Sequence, residues 1–178
     1  PIRTGKPQVV YRETIAAACD SEAVFDREIN DGKQYGHVVL RLEPLARGMG
    51  IEFVNAAPPE AVPEQFIPAI EKAVGDATLT GVMSGYPIVD MRVTLTGGSF
   101  RDGASSELGY IMAASTAIRE GVNKAGAVLL EPIMEVEIVT PQDFMGEIIA
   151  DINTRKGKVE KIENKNLIRI ITAQVSLK

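Results

Sequence analysis

The chain has 178 residues, 45 % of them hydrophobic, 24 % charged and a formal net charge of −5. That describes a globular protein with a real core rather than a disordered one, and the acidic balance excludes nucleic-acid binding through a broad basic surface, which needs clustered Lys and Arg to displace counterions. Divided after Leu130, the first part carries 12 basic and 16 acidic residues and the second 7 and 8, so neither part is basic and any RNA contact must be local. Cys19 is the single cysteine, so no intrachain disulfide can form and a reducing compartment fits. No apolar run approaches the roughly 18 residues that span a membrane, and no signal peptide opens the chain. It begins at Pro1 without an initiator methionine, which raises the expectation of a piece of something longer.

In chain order, "VVYRETIA" (9–16) and "AVFDREI" (23–29) are predicted strands. "QYGHVVLRL" (34–42) alternates more cleanly, Val38, Leu40 and Leu42 facing one way and His37, Val39 and Arg41 the other. Between these strands "NDGK" (30–33) contains an Asp-Gly pair, a strong hairpin-turn signal. "GIEFVNAA" (50–57) is a further strand, "PPEAVP" (58–63) breaks regular structure, and Pro63 suits the first position of a helix striped by Phe66, Ile67, Ile70 and Val74.

"IVDMRVTLTGG" (88–98) predicts a strand with Val89, Met91, Val93 and Leu95 inward and Asp90, Arg92, Thr94 and Thr96 outward. A Gly/Ser-rich loop follows, then a helix from about Ser106 whose predicted buried side is Leu108, Ile111, Met112, Ser115, Ile118 and Val122, ended by Gly126. "AVLLEP" (127–132) and "IMEVEIVT" (133–140) read as strands. The next helix takes Thr140 as cap and Pro141 in first position, with Asp143 near its positive end, Phe144, Ile148, Ile149 and Ile152 as its stripe and Gly157 as its stop. "KVEKIE" (158–163) and "LIRIITAQVSL" (167–177) are strands joined at "NKN". Strand, helix, strand, strand is the first two-thirds of a split βαβ unit, so a module cut short on its C-terminal side is expected, with an unpaired edge on the 133–140 strand that favours self-association.

The chemistry-bearing residues exclude more than they support. "RTGKPQ" (3–8) lacks the upstream glycine of a phosphate-binding loop, and the glycines of 97–103 do not fit G-x-G-x-x-G. One histidine and one cysteine cannot form a His/Cys metal cluster. His37, beside Tyr35, reads as a hairpin anchor, and Ser105 and Ser106 as helix caps, because a serine nucleophile needs a base that only His37 or a carboxylate could supply. Nothing in this set by itself makes an enzyme; an independent α+β enzyme or binding module, with its site between the glycine loop and His37, is the alternative of another class.

Six blocks, "GKPQVVYRETI", "QYGHVVLRLEPL", "EFVNAAPPEAVPEQFIPAI", "GYPIVDMRVTL", "GSFRDGASSELGYIMAASTAIREG" and "VLLEPIMEVEIVTPQDFMGEIIADINTRKG", resemble in order the C-terminal region of bacterial elongation factor G, over essentially the whole chain. The resemblance implies an α+β fold: residues 1–130 as the fourth domain, a tRNA-mimicking arm with a left-handed βαβ crossover against the usual chirality rule, and 131–178 as the first part of a ferredoxin-like fifth domain. It implies two tip loops that enter the decoding site and meet tRNA, mRNA and rRNA, carrying Asn30, Asp31, Gly32 and Lys33 on one and Ser99, Phe100, Arg101 and Asp102 on the other. Gln34, Tyr35, His37, Gly97 and Gly98 would support them. Phe100 and Arg101 stand where the family usually has Tyr and His, so a ribosomal-protection type or other specialised paralogue is the alternative to the main translocase. The implied partners are the ribosome, the remaining domains of the parent factor and tRNA–mRNA, and the implied location is the cytoplasm. GTP and Mg would belong to a missing N-terminal domain, leaving this piece without cofactor, metal or enzymatic activity. Arg101 is expected to be held outward by the glycines and serines around it.

Overall fold

A computed structural model of the chain describes residues 8–177, so all but Gln8 of the RTGKPQ run lies outside the described residues. Two compact units divide the chain: Arg12–Leu130, and residues 131–177 together with 8–11. Both are α+β.

In Arg12–Leu130, β2 (Cys19–Ile29) and β3 (Gly32–Pro44) form a long antiparallel hairpin. The turn consists of Asn30 and Asp31, at φ 50° and 61°, with Ile29 and Gly32 as the last pair. Two successive positive φ angles are what a two-residue primed turn requires, and Asn and Asp tolerate them best after glycine. The Asp-Gly signal therefore marks the right turn one residue late. β4 (Ile51–Asn55) and β5 (Met91–Ser99) complete a four-stranded sheet in the order β2-β3-β5-β4, and β4 runs parallel to β5. β1 (Arg12–Ile15) pairs separately with β6 (Ala127–Leu130). The predicted strand 9–16 is thus shorter, and 23–29 longer, than the sequence pattern suggests.

Val38, Leu40 and Leu42 are fully buried together with Met91, Val93 and Leu95, as their alternation requires. That alternation fails at Asp90, which sits at φ 58° and is buried while Val89 is only partly so; Ile88 takes the inward place. The Asp90 carboxylate accepts from the backbone N–H of Gly48 and of Gly50, both at 3.0 Å, which offsets its burial. A bulge at Thr96 shifts the register between Val39 and Leu40, so Val39 faces Gly97 while Leu40 faces Leu95.

Helix α1 (Ile67–Thr80) follows a 3-10 turn at Glu64–Phe66, so Pro63 precedes the helical region instead of opening it. Helix α2 (Glu107–Ala125) begins as expected, Ser106 Oγ accepting from Gly109 N–H at 3.0 Å, and Gly126 follows its end at φ 79°. Its buried face differs from the predicted stripe. Leu108 and Met112 are exposed, while Gly109, Tyr110, Ala113, Ala114, Ala117 and Gly121 point inward with Ile118 and Val122. Small residues let the helix axis approach the sheet more closely than a leucine stripe allows. A Cβ on Gly36 of β3 would collide with the Gly109 backbone, and one on Gly109 with Tyr35.

In residues 131–177, β7 (Ile133–Pro141), α3 (Met145–Thr154), β8 (Lys158–Lys165) and β9 (Ile168–Ser176) give an antiparallel sheet in the order β7-β9-β8. The strand β7 continues through Pro141 and a 3-10 turn at Gln142–Phe144 intervenes before α3. Thr140 is therefore a strand residue, its hydroxyl donating to Pro141 O at 3.2 Å, and it caps no helix. Phe144 is 54 % exposed and does not join Ile152 in the core. Among the described residues no helix is long and apolar enough to cross a membrane.

Candidate functional site

The hairpin turn and the loop after β5 meet at one end of Arg12–Leu130. The antiparallel β3–β5 pairing runs out at His37↔Ser99, and the chain then folds back along β3. Tyr35 N–H donates to Ala104 O at 2.9 Å and Ser106 N–H donates to Tyr35 O at 3.0 Å. Arg101 O accepts from Ala104 N–H and Ser105 N–H, closing a tight turn, and Ser105 Oγ accepts from Arg101 N–H at 2.8 Å. Ser106 thus caps α2 while Ser105 ties the loop to itself, a division of labour invisible in the repeated serine.

Four side chains form a continuous hydrogen-bonded chain beneath this loop. Tyr35 Oη lies 2.6 Å from Ser99 Oγ, which is 2.8 Å from His37 Nδ1, and His37 Nε2 is 2.7 Å from Glu22 Oε1. An ionised carboxylate only accepts, so His37 Nε2 carries a hydrogen; with a neutral ring, Nδ1 then accepts from Ser99 and Ser99 accepts from Tyr35. Serine, histidine and carboxylate in this order is a nucleophile–base–orienter arrangement. Ser99 Oγ is, however, engaged by both Tyr35 and His37, and the cleft at this end is lined by other residues. The chain of bonds ties β2, β3 and β5 together at the point where the loop departs.

Arg101 is not held outward. Its guanidinium carbon lies 4.0 Å from the centroid of the Tyr35 ring, and Nη1 donates to Asp26 Oδ2 at 2.9 Å. Its side chain remains 56 % exposed. A planar cation over an aromatic face is favourable, and Arg suits it better than Lys because the guanidinium itself stacks. Phe100 turns back instead of forming a free tip: its ring is 6.3 Å from that of Phe66, which in turn is 4.7 Å from Tyr110. Tyr110 Oη donates to Ser99 O at 2.9 Å, and burial holds this phenol above its ordinary value, a Ser105 hydrogen bond countering it only in part.

Of the residues singled out from sequence, Asn30 and Asp31 form the turn, Gly32 and Gln34 pair across the hairpin with Ile29 and Arg27, and Lys33 is exposed opposite Glu28. Gly97 and Gly98 pair with Val39 and Val38 beside the bulge, and Asp102 is exposed on the loop. Arg101, Asp102 and Lys33 share a cleft of about 440 Å³ with Asp26, Arg27 and Glu28. Asp26 and Glu22 are the members that sequence reasoning missed, and Ser105, read as a helix cap, instead accepts from Arg101 N–H. Alternation could have placed Asp26 on the exposed face of its strand, but only folding brings it beside a residue 75 positions away.

The class of this two-unit α+β segment is that of translation elongation factor domains. Residues 7–126 match the family model described as elongation factor G, domain IV, and residues 128–178 match elongation factor G C-terminus. The chain belongs to the elongation factor G family. It is also similar to a protein of known crystal structure from Thermus thermophilus, at 30 % identity and a TM-score of 0.87 over 97 % of this chain and 26 % of that one. The chain therefore spans about a quarter of that structure's length.

Proposed function

We propose that this chain is the ribosome-engaging part of an elongation-factor-G-like GTPase, with residues 1–130 as the arm and 131–178 as the start of the following domain. It promotes movement of the tRNA–mRNA pair by placing the 30–33 turn and the 99–105 loop in the decoding site, in the cytoplasm. GTP and Mg belong to other domains of the parent factor, so this piece has no catalytic role of its own. The match of 7–126 to domain IV carries the reading, and the fastening of the 99–105 loop to the strands of the hairpin, with Lys33 of the turn lining the same cleft, supports it, because recognition loops act from a fixed scaffold. In a full-length factor, Arg101→Ala should slow single-round translocation about tenfold, equivalent to roughly 1.4 kcal/mol of lost transition-state contact. An unchanged rate, with wild-type chain failing to co-sediment with ribosomes, would defeat the reading.

Among the described residues β7 pairs on one side only, with β9. Self-association along that open nine-residue edge is the second part of the proposal, since unpaired strand edges recruit other strands. Light scattering should show mass rising with concentration; a strict monomer contradicts it.

A further inference from the structure

We infer that Arg101 works as a stacking plate for an unpaired nucleobase and not as a phosphate clamp; this rests on the ribosomal reading above and specifies the contact made by the same site. Three observations carry it. The guanidinium carbon lies over the Tyr35 ring, 4.0 Å from its centroid. The Arg101 side chain is 56 % exposed, so it is open to a ligand. Its Nη1 donor is already committed to Asp26 Oδ2 at 2.9 Å.

The surrounding charge points the same way. The cleft around Arg101 is lined by three basic residues, Arg27, Lys33 and Arg101, and three acidic ones, Asp26, Glu28 and Asp102, so its formal charge is zero. Phosphate binding depends on uncompensated positive charge and on a free donor fork. Here the charge is compensated and Nη1 is already engaged. A nucleobase needs neither: it stacks on a guanidinium plane and gains from the ring below that holds the plane still. The plate is also fixed from beneath, because Tyr35 is 3 % exposed and its hydroxyl is bonded to Ser99 at 2.6 Å. A side chain immobilised before binding loses less freedom on binding.

The test uses the 178-residue chain and a short single-stranded RNA with one 2-aminopurine, alongside the same RNA with an abasic site at that position. Saturable quenching is expected with the base and not with the abasic strand. Arg101→Lys should weaken binding as much as Arg101→Ala, by about 5- to 150-fold, the range for one stacked base, because lysine keeps the charge and loses the plane. The plot of log affinity against log salt should be shallower than about −0.7, the slope for a single phosphate on single strands. Retained affinity in Arg101→Lys, equal binding of the abasic strand, a slope of about −2 (several phosphates) or no quenching at all would each overturn the inference. Co-sedimentation of the wild-type chain with ribosomes separates the two failures. Ribosome binding without quenching sinks the stacking plate alone, while quenching without ribosome binding sinks the functional reading and leaves the plate standing. Both variants replace an exposed side chain, and circular dichroism verifies their fold.

Discussion

Glu13 shows how a single side chain can close a loop. It is fully buried on β1, and its carboxylate accepts from the backbone N–H groups of Val82, Met83, Ser84 and Tyr86 at 2.7 to 3.3 Å. Burial alone would raise its pKa, but the four N–H donors outweigh it and hold the carboxyl below its ordinary 4.5. A folded-state value below the unfolded one means that the carboxylate's contribution is complete above the unfolded value and is lost as pH falls through the folded value. Glu13→Gln should cost about 2–4 kcal/mol at neutral pH by setting an amide NH₂ against those donors. Denaturant midpoints measured from about pH 6 down to about pH 3 should fall less steeply in the variant. A parallel decline in both proteins would show that other carboxylates govern acid unfolding. The sequence offers no sign of this role, because a strand glutamate usually reads as solvated surface.

At the scale of elements, the packing of α2 on β3 decides where the loops end up. Gly36 and Gly109 bring backbone against backbone, and the 99–106 segment is fastened to Tyr35 next to that contact. Gly36→Ala should therefore destabilise the protein by about 3 kcal/mol or more, as overpacking against backbone does. Gly75→Ala on α1 should act in the opposite direction, by about 0.5–1 kcal/mol, because an added Cβ there meets nothing. Urea midpoints of the two variants check the contrast, and a harmless Gly36→Ala would show that helix and strand can separate without cost. Sequence periodicity found both elements and set Ile118 and Val122 inward on α2, but it also put Leu108 and Met112 on the buried face. A hydrophobic stripe favours Leu108 and Met112, whereas the close approach selects glycine and alanine for the inner face.

For the whole molecule the unequal cores matter most. The cluster in Arg12–Leu130 holds 21 buried residues, against Ile152, Ile171 and Ala173 alone in residues 131–177. Stability scales with apolar area removed from water, so the smaller unit should open first. Hydrogen exchange followed by mass spectrometry in rising urea should show amides of β7–β9 exposed before those of β3 and β5. A single coincident transition would mean that the two units fold as one cooperative block.

By itself the sequence determined the strand–helix order, the hairpin at 30–33, the caps at Ser106 and Gly126 and the family resemblance. These depend on local periodicity, turn chemistry and linear blocks, all of which survive in one dimension. Only the tertiary structure decided that Asp90 and Glu13 are buried acceptors, that α2 presents its small residues to the sheet, and that Arg101 lies down on Tyr35 beside Asp26. Each of those outcomes depends on groups far apart in sequence meeting in space. A buried carboxylate needs N–H donors from another segment, a close-packed helix needs a glycine on the opposing strand, and a stacked arginine needs a ring 66 positions away in the chain. The cation that local chemistry leaves pointing into solvent is drawn over a ring and onto a carboxylate by its distant neighbours.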